Sequence, residues 1–173
     1  MHLFQKGSFS FGQTLKLMNG SADSDAKVCQ GVPSLSEFED IWTAWDTVTL
    51  TMIPEGGFLE KPISLRHPYI FYIGHIPAFA DIQVSRCIGA PLTSPAYFAE
   101  IFERGIDPDM EDTSIVNPHS VVPDTWPDLN EILPYRDSVR DRIRNLLKNE
   151  KGISGKLARV LWYVTEANCD FFF

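Results

Sequence analysis

The chain has 173 residues, 44% apolar and 22% charged, which suits a single globular domain with a substantial buried core. Its formal net charge of -8 gives a phosphate backbone little to bind, so nucleic acid is excluded as a partner. No apolar run is long enough to cross a bilayer, and the three cysteines (Cys29, Cys87, Cys169) form no CxxC pair, which excludes a zinc ribbon or thioredoxin-like motif and points to reduced thiols in the cytoplasm.

Residues 1–33 are rich in Gly, Ser and Asp, show no sustained periodicity and read as a disordered tail. Residues 1–22 lack Asp and Glu, but without an arginine they do not make a targeting segment. Ser34-Leu35-Ser36-Glu37 fits a capping box, in which Ser and Glu side chains satisfy exposed backbone N–H groups. Beyond it Phe38, Ile41, Trp42, Trp45 and Val48 recur at helical spacing, with Thr49 and Met52 extending the stripe until Pro54, Gly56 and Gly57 close it. A second helix is expected from His67-Pro68, with Phe71, His75, Ala78, Phe79 and Ile82 on one face and an end at Gly89. Pro77 removes a backbone hydrogen bond and predicts a kink beside His75.

Ser94-Pro95 opens a short helix through Tyr97, Phe98, Ile101 and Phe102, stopped by Gly105. From Ile106 to Pro127 four prolines and many acids predict a long Pro-rich loop, a length often tied to function. Asp128 and Glu131 open a helix through Ile132, Tyr135, Val139, Ile143, Leu146 and Leu147. Its outer face alternates Arg136, Asp137, Arg140, Asp141, Arg142 and Arg144, the pattern of a solvated surface. After Gly152 and Gly155 a last helix carries Leu157, Val160, Leu161 and Val164. No strand pattern and no internal repeat is visible, so the reading is all-α, an up-and-down helical bundle spanning 34–173.

Of the four histidines, His75 is the most informative, because it sits mid-helix on an apolar face. Imidazole is a common metal ligand and bundles build metal sites between facing helices, yet a lone histidine there equally fits a core residue with its hydrogen bonds met. His67, before a proline at a helix start, fits a cap or turn. His119 lies in the long loop as ligand or surface, and His2 lies in the tail. No two histidines stand three or four residues apart, so spacing alone makes no metal site. No nucleophile elbow, catalytic-cysteine signature or phosphate-cradling glycine loop is present.

The run Leu65-Arg66-His67-Pro68-Tyr69-Ile70-Phe71-Tyr72-Ile73-Gly74-His75-Ile76-Pro77-Ala78-Phe79 resembles the first metal-ligand helix of the sulfoxide synthases of ergothioneine and ovothiol biosynthesis. The likeness is strongest to the fungal multidomain ergothioneine enzymes and extends over Trp42 to Thr49, Leu59 to Ile63, Ile101 to Asp109, Pro118-His119-Ser120 and Val122-Pro123, spanning about residues 32 to 166. It implies a DinB-like four-helix bundle in which three histidines hold an iron(II), His75 among them. The family uses O₂ to join a cysteine thiol to hercynine, and its catalytic tyrosine lies in a further domain. The resemblance also suggests that Arg104 holds the substrate carboxylate; a pair with Glu100 one turn back is the equal alternative.

The same resemblance implies the other two histidines at positions held by Ala167 and Phe171, neither of which binds iron. The expectation is therefore a chain truncated in its last helix, with iron(II) weakly held or absent and no activity alone unless another chain supplies the missing domain. The alternative is a non-catalytic helical-bundle module or pseudoenzyme. A DinB-like thiol transferase is a weaker third reading, since it too needs several histidines. Whether the chain is an enzyme stays open on the sequence.

Overall fold

The computed structural model describes residues 31–63, 66–108, 112, 116–118, 120–149 and 152–170. Most of the tail (1–30), His119 and Phe171 to Phe173 lie outside them. The chain is helical, with α1 (Leu35–Asp46), α2 (Tyr69–Ile88), the short α3 (Phe98–Phe102), α4 (Leu129–Lys148) and α5 (Gly155–Asp170). Among the described residues no helix is long and apolar enough to cross a membrane.

Both expected helix starts carry their caps. Ser34 accepts from the Glu37 N–H while Glu37 accepts from the Ser34 N–H at 2.7 Å, and Asp128 and Glu131 do the same at the head of α4. The start of α2 is met differently. Pro68 takes the cap position, and the N–H groups of Tyr69 and Ile70 donate to the carbonyls of Glu60 and Phe58 in the preceding loop. α2 ends where Gly89 turns left-handed at φ 66°, a conformation open to a residue without Cβ. Pro77 sits inside one continuous helix. α3 begins three residues past the Pro95 signal.

The apolar stripe of α1 holds through Phe38, Trp42 and Trp45, then departs from the sequence expectation. Residues Thr47–Thr51 continue as a π-helix. Thr49 faces inward, as the stripe predicts, and bonds the Trp45 carbonyl at 2.8 Å, but the wider turn leaves Val48 and Met52 exposed. A second correction concerns the Pro-rich loop, where β1 (Ile106–Pro108) pairs antiparallel with β2 (Val116–Pro118), Ile106 opposite Pro118. Segments of three residues are too short to show alternation in sequence.

α2 is the central element. Ile70, Phe71, Ile73, Ile76, Ala78, Ala80, Ile82 and Val84 are all buried, and it packs against α3, α4 and α5. α1 lies antiparallel to α4, since Glu39 pairs with Arg144 and Asp46 with Arg136 and Arg140. This seam corrects the reading of the α4 arginines as a solvated face. Arg140 is only 8% exposed and grips both oxygens of Asp46 at 2.7 and 2.8 Å. Arg140 and Arg144 also lie over the Trp42 ring, at 5.2 and 5.0 Å from its centroid. Arg142 turns to the other side of α4 and meets Asp81 and Ser85 of α2 at 2.8 Å. The arginines read as solvated because their acidic partners come from other helices, 61 to 105 residues away in sequence.

Candidate functional site

His75 lies on α2, one turn after Phe71 and one turn before Phe79. Its ring stacks on Phe71 (5.1 Å between centroids, 17° between planes), and His67 approaches the same Phe71 at 4.1 Å. His67, Phe71, His75 and Phe79 therefore make a ladder of rings at four-residue steps along one face. Trp126, from the loop before α4, meets His67 and Phe71 edge-on and stacks on Phe102 of α3.

The His75 ring is oriented by the backbone. Its Nδ1 lies 2.6 Å from the Phe102 carbonyl oxygen, the last residue of α3. A carbonyl accepts and cannot donate, so Nδ1 carries the proton and, in the neutral ring, Nε2 carries the lone pair. Burial pushes the basicity of His75 below the ordinary histidine value, partly offset by this hydrogen bond. The ring is thus neutral near pH 7, in the protonation state in which imidazole ligates a metal through Nε2.

His67 is not the cap that its place before a proline suggests, since Pro68 holds that position. It is 5% exposed, and burial first, then the positive charge of Lys61, push its basicity below the ordinary histidine value. Its backbone N–H also serves the Tyr72 hydroxyl, whose acidity burial suppresses. Arg104 is exposed, two residues beyond Phe102, and its backbone N–H donates to Ser120 Oγ at 2.7 Å. Among the described residues no ion pair joins Arg104 to Glu100, while the neighbouring Glu103 pairs with Arg86 at 2.8 Å. Arg104 therefore stands at the same end of α3 as the carbonyl that holds His75.

α5 supplies the facing wall. Arg142, close to the turn that leads into α5, sits against Asp81 and Ser85 toward the C-terminal end of α2. α5 starts at that end and runs back along α2. Val164 lines a common cavity with Ile76, Pro77 and Ala80, and Tyr163 meets Phe79 at 5.4 Å. One turn back from Phe79 is His75, and one turn on from Tyr163 is Ala167. Antiparallel helices in this register bring Ala167 level with His75. Phe171 lies outside the described residues. Among the described residues no group of three His, Cys, Asp or Glu side chains converges as a metal site would. His75 is in the protonation state in which Nε2 could ligate a metal, and the Ala167 side chain holds no ligating atom.

Three features of this site were not singled out from sequence: the Phe102 carbonyl, Gly74 beneath the Phe102 ring, and Trp126. Only Gly74 left a signal, as a glycine inside a strongly apolar helix.

No family model matches the chain. Among curated proteins it is similar to the ergothioneine biosynthesis protein 1 of Neurospora crassa, 40% identical over 163 residues, covering 94% of this chain and 18% of that protein. It is also similar to the ergothioneine biosynthesis protein 1 of Schizosaccharomyces pombe, 37% identical over 139 residues, 79% of this chain and 18% of that protein. The chain thus spans under a fifth of the length of the relatives it matches. Over most of its length the chain is similar to one segment of these fungal ergothioneine biosynthesis proteins.

Proposed function

We propose that this chain is the counterpart of the DinB-like, iron-facing four-helix segment of an ergothioneine sulfoxide synthase, with a role in ergothioneine biosynthesis. In this reading His75 is one iron(II) ligand through Nε2. Arg104 binds a substrate carboxylate, and cysteine, hercynine and O₂ are the substrates of the complete system. The observation that carries the reading is the 40% identity over 94% of the chain, with His75 half-buried, neutral and held by Nδ1 on the segment that bears the family likeness. The positions implied for the other ligands hold Ala167 and Phe171, so we expect no stable three-histidine iron centre from these positions. A second reading, a non-catalytic helical module, is favoured by the Ala167 methyl level with His75.

Anaerobic iron(II) titration of the purified chain, read by bound metal, tests both. The native chain should retain little iron. The Ala167→His/Phe171→His variant should gain about one iron per chain, and that gain should vanish when His75→Ala is added. Tight iron in the native chain that survives His75→Ala would overturn the assignment of His75. A double variant that folds but gains no iron would favour the non-catalytic module.

A further inference from the structure

We infer that Gly74 and Phe102 are positioning residues that lock His75 as its Nδ1–H tautomer. The lock has two parts. The first is the bond from Nδ1 to the Phe102 carbonyl at 2.6 Å. α3 has five residues, so its last carbonyls have no partner further along the helix and are open to a donor from outside. The opposite tautomer would set the Nδ1 lone pair against the carbonyl oxygen and leave that buried acceptor without its donor. The neutral ring should therefore prefer Nδ1–H by roughly tenfold or more.

The second part is what keeps the carbonyl in place. The Phe102 ring, 0% exposed, rests its tip on the α2 backbone at Gly74. A Cβ at residue 74 would stand 2.5 Å from Cζ and 2.6 and 2.7 Å from the two Cε atoms of that ring. Side chains do not approach that closely, so even alanine must push the ring away. The ring is also caged by Trp126 at 5.8 Å, Phe98 at 5.3 Å and Phe71 at 6.1 Å. A packed cage shifts as a unit. Displacing the ring moves the end of α3, and with it the carbonyl of the same residue. Gly74 thus governs the neighbouring His75 through Phe102, without touching the imidazole itself.

The lock stands on this packing alone; its use to a metal rests on the proposal that His75 is a ligand, for which a fixed Nε2 lone pair is the required presentation. Long-range proton–nitrogen NMR on the ¹⁵N-histidine-labelled full chain, without metal and at a pH where the ring is neutral, reads the tautomer directly. The His75 signals are assigned by their loss in His75→Asn. A protonated Nδ1 and an unprotonated Nε2 are expected in the native chain, a shift towards a mixture in Gly74→Ala, and recovery in Gly74→Ala/Phe102→Leu, where the shorter side chain makes room for the methyl. An averaged or Nε2–H ring in the native chain would overturn the inference, as would an unchanged tautomer in a folded Gly74→Ala. If Gly74→Ala does not fold by circular dichroism, Phe102→Ala keeps the carbonyl and removes the ring. Loss of the tautomer preference there supports the lock and its persistence overturns it. A native lock in a chain whose restored-histidine variant takes no iron would leave the inference standing and the ligand proposal fallen.

Discussion

α2 carries the buried Asp81 and the half-buried His75 on successive stretches of one helix, and they are held in opposite ways. Asp81, 1% exposed, is surrounded by side-chain and backbone donors. Arg142 meets it at 2.8 Å, the Thr93 hydroxyl at 2.7 Å and the Thr93 N–H at 2.8 Å, and the Tyr135 hydroxyl adds another bond. Burial, reinforced by Asp81, pushes the Tyr135 hydroxyl far above its ordinary value, so it stays a donor. His75 is gripped instead through Nδ1 by a backbone carbonyl, within a cage of aromatic rings. The Asp81 end is an anchor, where every bond ties α2 to α4 or to the turn after Gly89. The His75 end is a mounting, where the protein fixes which way a ring nitrogen points. The difference separates a polar group that stabilises the fold from one that is presented by it.

Breaking the anchor should have the largest effect. Asp81→Ala leaves Arg142, the Thr93 N–H and the Tyr135 hydroxyl facing a vacated buried site, and should cost on the order of 3 kcal/mol in urea denaturation. A loss under about 1 kcal/mol would mean that the cluster relaxes freely and is no anchor. The α1–α4 seam comes next. Arg140→Ala removes two bonds to Asp46 and the stacking on Trp42, and should cost about 1.5 kcal/mol. In a double-mutant cycle with Asp46→Ala the two losses should not add.

The mounting itself is tested by a pair of substitutions at His75. Asn places an amide N–H where Nδ1 lies, so His75→Asn should keep the bond to Phe102. Gln places its amide where Nε2 lies, so His75→Gln should lose that bond and be less stable than His75→Asn by about 1 kcal/mol. Equal stability of the two would show that the carbonyl bond contributes nothing.

The smallest effect is a pH slope. His67 and His75 both have folded values below the ordinary 6.5, so the unfolded chain binds more protons in that window. Their contribution is complete above about 6.5 and is lost as pH falls through the lowered folded values. Glu39 acts further down: its hydrogen bond to Arg144 holds the carboxyl below 4.5, so its contribution is present above that value and lost on acidification. Melting temperature should therefore fall modestly between about pH 7.5 and about pH 5.5. His67→Phe, which keeps a ring against Phe71 without a titrating group, should flatten the slope. An unchanged slope in that variant would remove His67 from the account.

Local chemistry was the legible part of this protein. Both capping boxes, the left-handed Gly89 and the apolar faces of α2 and α5 stand in sequence as they stand in the structure, because each depends on residues within one or two turns. The family resemblance was legible for the same reason: it rests on long contiguous runs. The π-turn that leaves Val48 and Met52 outside while Thr49 stays inside was not legible, since one extra residue per turn leaves no compositional mark. The α4 arginines were misread because charge on a helix looks solvated until the acids of other helices are brought opposite it.

By itself, then, the sequence determined that the chain is helical, where its helices start, and that His75 sits in a segment shared with the fungal ergothioneine biosynthesis proteins. Only the tertiary structure decided what His75 does with its two nitrogens. The partner of Nδ1 is a backbone carbonyl 27 residues away, brought close because Gly74 lets the Phe102 ring lie against α2. Backbone carbonyls are alike at every position in a sequence, so packing alone could select this one.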